Sequence, residues 1–309
     1  MWAYLAGVIS LFILLWVLVH ITAKTSRRWS LGRGERLTAG GLSVRVLGTG
    51  ERVYVLLHGL VASGDYFGAS YDSLAEKGTL VVPDLLGFGR SLEAKATSYE
   101  LEAHLDALDR MLIELGLTGR SLVIVGHSMG GIIAIHLAAR HREQVKRVVT
   151  FCAPLYRSQE EGQEHIKAMG LMERLFALES PLAKRLCTWM CRYRLLASWL
   201  TAAILPIYPV RVARHSMLHT WDTYQGAMQG IILRGGWEAS LDTLQVAGVQ
   251  IQMVTARKDH ATVKGLAQQL AERHQNVKAT EHPKARHDLP LSEPRWCLSM
   301  LQLKSAKPQ

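Results

Sequence analysis

The chain has 309 residues, 49% hydrophobic and 20% charged, which excludes a disordered protein and supplies a core for one large domain or two modest ones. Its formal net charge of +10 suits an anionic membrane surface; without a stripe of basic residues interleaved with aromatics, no nucleic-acid partner is expected. Four scattered cysteines exclude a disulfide framework, and Cys187 and Cys191, one helical turn apart, have no second close pair to complete a metal site. Free thiols in a reducing compartment are expected, with no metal and no cofactor.

From Trp2 to Val19 no side chain is charged, and the apolar run continues to Ala23. About 20 helical residues cross the roughly 30 Å of a hydrocarbon core, so residues 1–23 are expected to form a transmembrane anchor. The start lacks Lys and Arg and the apolar stretch exceeds the roughly 7 to 15 residues of a signal core, which favours an uncleaved anchor over a signal peptide. Residues 24–37 read as a basic juxtamembrane linker, with Lys24, Arg27, Arg28, Arg33 and Arg36 against Glu35. That asymmetry places the larger part on the cytoplasmic side of a single-pass membrane protein.

Beyond the linker, "LSVRVLG" alternates with period two, and "RVYVLLHG", "TLVVPDLLGFGRS" and "SLVIVG" read as buried strands. Helices are expected at 98–117, through "IIAIHLAARH", at "ATVKGLAQQLAERH" and near 294–303, with strands at "VKRVVTFCAP", "VQIQMVTARKD" and "VKATEH". Apolar strands alternating with helices imply an α/β fold with a mostly parallel sheet covered on both faces. Residues 155–236 interrupt it without an evident strand, in segments such as "LMERLFALE" and "LAKRLCTWMCRYRLLASWL". The division expected is a core over 38–154 and 237–309 with a helical cap over 155–236.

Ligands of open parallel sheets gather at the carboxyl ends of the strands. The residues there are His58-Gly59-Leu60, Asp84 with Gly87 and Gly89, Ser128, Asp259 and His287. "GHSMGG" puts a serine between glycines just past a strand, where a sharp turn would bring backbone close to backbone.

Gly126-His127-Ser128-Met129-Gly130 resembles the nucleophile elbow of the α/β-hydrolase family, and the order Ser128, Asp259, His287 matches that family's serine, acid, histidine order. "HGLVASGDYF" is similar to its oxyanion loop, "PDLLGFGRS" to its aspartate and glycine turn, and "HDLPLSEP" to the stretch around its histidine. The resemblance covers roughly residues 38–303 and is weakest over the cap. For the chain beyond the expected transmembrane helix it implies an α/β-hydrolase fold, with Ser128 as nucleophile, His287 as base, Asp259 orienting His287, and the backbone N–H groups of Leu60 and Met129 as oxyanion donors. The chain departs from the family in having Ala256 before the acid and Ala285-Arg286 before the histidine, where glycines are frequent. A serine at the elbow argues against epoxide hydrolase and dehalogenase chemistry, which uses aspartate there.

Other polar residues read as structural: His127 packs or bonds beside the serine, Asp84 holds its turn and His58 braces the oxyanion loop. His260 is the competing histidine, and Asp222 and Asp242 are backup acids. The elbow also resembles that of monoacylglycerol lipases. The function expected is a membrane-anchored serine esterase or lipase acting on small acylglycerol-like or other lipophilic esters. The alternatives are a carbon–carbon bond hydrolase with the same three residues and a non-catalytic, membrane-tethered scaffold.

Overall fold

Strands that are apolar at nearly every position need cover on both faces, and the sheet supplies it. The computed structural model describes residues 2–94, 96–169 and 180–301. Its strands are β1 (Glu35–Ala39), β2 (Leu42–Leu47), β3 (Val53–Leu57), β4 (Thr79–Pro83), β5 (Leu122–His127), β6 (Val145–Phe151), β7 (Gln250–Ala256) and β8 (Val277–His282). They form one sheet in the order β1-β2-β4-β3-β5-β6-β7-β8. β1–β2 and β2–β4 pair antiparallel, and every other neighbouring pair is parallel.

Side chains alternate between two cores. Val53, Val55 and Leu57 of β3 join the cluster on one face, while Tyr54 and Leu56 join the other. Leu122 and Ile124 of β5 divide from Val123 and Val125 in the same way. This is the period-two geometry of a strand wet on neither face. The register sets Leu57 opposite Gly126, His127 opposite Phe151 and Phe151 opposite Val254, so the carboxyl ends of β3, β5, β6 and β7 lie along one rim.

Among the described residues, no strand falls between β6 and β7. Of the helices expected in this cap, residues 171–179 lie outside the described residues. The apolar run after them is two helices, Pro181–Arg192 and Arg194–Ile204, parted at Tyr193, whose ψ of 39° leaves helical geometry. The cap's ends are tied to the core and to each other: Trp237 Nε1–H donates to Tyr156 O at 2.7 Å, and Tyr156 O–H donates to Ala261 O at 2.8 Å.

At the amino-terminal end, a helix runs from Trp2 to Thr22, long and apolar enough to cross a membrane, and its apolar span is not buried against the rest of the molecule. The basic segment after it contains a short helix, Lys24–Arg28, and the beginning of β1. Lys24 is ion-paired with Glu293. Trp29 packs on the core and donates Nε1–H to Asp65 O at 3.1 Å.

Candidate active site

β5 ends in a turn that only small neighbours permit. Ser128 has φ 53° and ψ −124° and is followed at once by the helix Met129–Arg140. A serine in that region stores about 1–3 kcal/mol of strain. A Cβ on Gly126 would overlap the carbonyl of Gly130, and one on Gly130 would overlap the carbonyl oxygens of Leu57 and His58. Gly130→Ala is therefore expected to destabilise the protein by about 3 kcal/mol, because the obstruction is backbone and cannot rotate away. Urea unfolding checks this, and an unchanged midpoint would contradict so close a packing of the elbow on β3.

Ser128 is 8% exposed and meets two residues from other strands. His287 Nε2 lies 3.0 Å from Ser128 Oγ, and His287 Nδ1 lies 3.0 Å from each oxygen of Asp259. A carboxylate accepts only, so Nδ1 carries the proton and Nε2 is left bare toward the hydroxyl. Burial alone would raise the Asp259 pKa, but hydrogen bonds from His287, Ala261 N–H and the Cys152 thiol hold it below the ordinary carboxylate value. Asp259 thus faces the imidazole as an anion.

The other expected residues fall into two groups. Leu60 lines the same cavity as Ser128 and His287, and Met129 opens the elbow helix, where the first N–H groups have no partner within the helix. His58 is fully buried, with Nδ1 2.8 Å from Gly59 O and Nε2 accepting from Leu85 N–H at 2.8 Å. It ties the loop after β3 to the turn after β4. His127 lies 2.8 Å through Nε2 from the His287 carbonyl and stacks on Tyr66 at 4.8 Å. Burial and the nearby His287 push its pKa down to about 3, so the neutral ring donates to that carbonyl and supports the backbone of His287. Asp84 accepts from Gly64 and Arg90 N–H groups at 2.7 and 2.8 Å, a turn-holding arrangement.

The competing residues lie elsewhere. His260 is exposed, and His165 bonds its carbonyl. Asp242 is exposed near His274, and Asp222 is exposed in the first turn of the cap helix Trp221–Ala227. Cys187 and Cys191 have their sulfurs 3.8 Å apart, and the fold brings His219 Nε2 to 3.8 Å from Cys187, a neighbour that spacing along the chain does not reveal.

Three residues at the rim were not singled out from the chain. Cys152, just after β6, lies with Asp259 and His287 so that their ligand atoms are within 4.8 Å of one another. Tyr66 lines the cavity, and its buried hydroxyl makes no hydrogen bond among the described residues. Val61 lines it too. Among the described residues, the non-glycine positions with positive φ are Val61, Ser128 and Cys152. Backbone strain therefore concentrates at this rim, as it does at functional sites generally. The cavity measures about 220 Å³ and is closed on one side by Leu205, Tyr208 and Val212 of the cap.

Residues 53–178 match a family profile described as the alpha/beta hydrolase fold. The chain is 26% identical over 217 residues to "Probable lysophospholipase BODYGUARD 4" of Arabidopsis thaliana, covering 65% of this chain and 51% of that protein. It is 36% identical over 98 residues to "Lipase 3" of a Moraxella species, covering 32% and 30% of the two chains. The match spans about half the length of BODYGUARD 4 and of the similarly titled BODYGUARD 5. Among solved structures, a thermophilic esterase from Thermogutta terrifontis superimposes with a TM-score of 0.62 at 20% identity, over 87% of this chain and 97% of the other.

Proposed function

We propose, for a chain that has the α/β-hydrolase fold, that it is a membrane-anchored serine hydrolase cleaving lipophilic, acylglycerol-like carboxylic esters through an acyl-enzyme. The fold, the family match and the esterase- and lysophospholipase-titled relatives support a hydrolase. The observation that carries the finer reading is the continuous line from Ser128 Oγ through His287 to Asp259, each contact 3.0 Å. A bare imidazole nitrogen within hydrogen-bond reach is what a serine hydroxyl needs to act near neutral pH.

In this reading, Ser128 Oγ attacks the ester carbonyl carbon as its proton passes to His287 Nε2. Asp259 stabilises the imidazolium that results. The carbonyl oxygen becomes an oxyanion and accepts from the N–H groups of Met129 and Leu60, each worth about 2.7–4 kcal/mol of barrier. His287 then protonates the departing alcohol oxygen as its bond to the carbonyl carbon breaks. Water deprotonated by the same nitrogen attacks the acyl-enzyme, and the second collapse returns the proton to Ser128.

Two features support the lipid side. The helix Trp2–Thr22 has the length and composition of a span, and cap residues Leu205 and Val212 line the cavity. The basic residues after the helix favour a cytoplasmic catalytic part. A fluorophosphonate probe and a panel of nitrophenyl and glycerol esters graded by acyl length test the proposal. Labelling is expected at Ser128, with turnover rising from acetyl toward longer acyl groups. Turnover of a dienoate without any ester would shift the assignment to carbon–carbon cleavage, and folded protein that never labels would make it a scaffold.

A further inference from the structure

A second cavity, about 500 Å³, opens where the amino-terminal helix, the basic segment and the cap meet; its walls include His20, Ser26, Trp29, Ser198, Arg211 and Arg214. One short helix, Val210–His215, separates it from the catalytic cavity. Val212 and Ala213 line the catalytic side, and Arg211 and Arg214 line this one.

Its depth follows from the helix. Twenty-one residues at 1.5 Å each span about 31 Å, the thickness of a hydrocarbon core. His20 and Ser26 would then stand at headgroup level, and both line the cavity. The helix is held to the cap at this end, with Trp16 Nε1–H donating to Ala202 O at 3.3 Å and His20 Nδ1 lying 2.9 Å from Pro206 O. On the same cap helix, Leu195, Leu196, Trp199, Leu200 and Ile204 are 46–75% exposed, an apolar face large enough to need a partner. Arg214 joins the two features, since its guanidinium carbon sits 4.0 Å over the Trp199 ring while it lines the cavity.

The charge there is positive. Asp65 is the carboxylate within reach, and it is already held by Arg36, Arg90 and Arg211 at 2.9, 2.8 and 2.6 Å. Arg214 has no carboxylate partner among the described residues; its Nε lies 3.5 Å from Ser198 Oγ. A guanidinium fork with donors to spare, beside serine hydroxyls, matches the oxygens of a phosphate.

We propose that this cavity binds the phosphate of a membrane phospholipid, whose acyl chains lie along the exposed Leu196–Trp199 face. The proposal rests on reading Trp2–Thr22 as a membrane span. Bound in this way, the lipid seats the cap on the bilayer one helix away from the catalytic serine.

The test uses the full chain carrying Ser128→Ala, so that no probe is hydrolysed, in non-ionic detergent micelles. Dihexanoyl phosphatidylglycerol is titrated while tryptophan fluorescence is followed. Saturable binding is expected, weakened about ten- to one-hundred-fold in Arg211→Gln/Arg214→Gln, as loss of charge-assisted hydrogen bonds requires. Dihexanoylglycerol, with the same tails and no phosphate, is expected not to bind. Equal binding of that neutral lipid, or an unweakened variant, overturns the proposal. Inorganic phosphate binding as tightly as the lipid would make this a free-anion site and overturns it equally. Should the double variant not fold, Arg214→Gln by itself and the neutral-lipid comparison decide the question in the same way. Alkaline carbonate extraction of membranes bearing the wild-type chain tests the span separately: release of the chain would refute the span, while the titration still decides whether the cavity takes phosphate.

Discussion

Replacing Ser128 with alanine is expected to lower kcat for ester hydrolysis by about six orders of magnitude, with His287→Ala falling equally far and the double variant no further. The equality follows from the geometry. The hydroxyl and the imidazole share one proton across 3.0 Å, so either loss removes the same step and the costs do not add. Asp259→Asn should retain more activity, with a loss of about four orders of magnitude, because an amide in that place favours the wrong tautomer of His287 without removing the base. Single-turnover kinetics on a nitrophenyl ester, with melting temperatures as a folding control, measure all four. Substantial hydrolysis by Ser128→Ala that a fluorophosphonate still blocks would place the nucleophile elsewhere.

Acidification is expected to unfold the protein well before the carboxylates titrate. Burial pushes the pKa of His104 and of His127 down to about 3 and that of His219 down to about 4, from an ordinary value near 6.5. All three are buried. Between about pH 6.5 and those depressed values the unfolded chain binds protons that the folded chain refuses, so stability is complete above pH 6.5 and is lost as pH falls. At pH 5 each of the three opposes folding by about 2 kcal/mol, a sum comparable to the whole stability of an ordinary domain. The depressed Asp259 acts in the same direction at lower pH. Urea midpoints measured from pH 8 to pH 4.5 should be flat and then fall steeply below about pH 6. His104→Phe, in a pocket already lined by Phe88, should make the fall shallower by one proton. A midpoint independent of pH down to 5 would refute this picture.

Much of the architecture was legible because the signals are local. Strands β3, β4 and β5 are buried at every position and therefore appear as uninterrupted apolar runs. β1 was hidden inside the segment read as a basic linker. It is an edge strand with Glu35 and Arg36 among its five residues, and an edge has only part of its surface to bury, so its pattern fades into the charges around it. The break at Tyr193 was equally silent, since no glycine or proline marks it.

The site divides along the same line. A serine between glycines after one strand, an acid after another and a histidine after the last could be collected in chain order, because each sits at a strand end and strand ends are visible from apolar periodicity. Cys152 beside Asp259, Tyr66 under His127 and His219 against Cys187 could not, because each contact joins segments far apart in the chain and neither partner carries a local pattern.

The amino-acid order alone thus determined the alternation of strand and helix, the apolar amino-terminal helix and the succession Ser128, Asp259, His287, all of which follow from spacing and from backbone that only glycine tolerates. Tertiary structure decided the distances. The sheet register, with Leu57 against Gly126 and Phe151 against Val254, brings strand ends that are remote in sequence to one rim. Proton transfer is sensitive to differences of a few tenths of an ångström in the separations between atoms on different strands, and no spacing along a single chain encodes those separations.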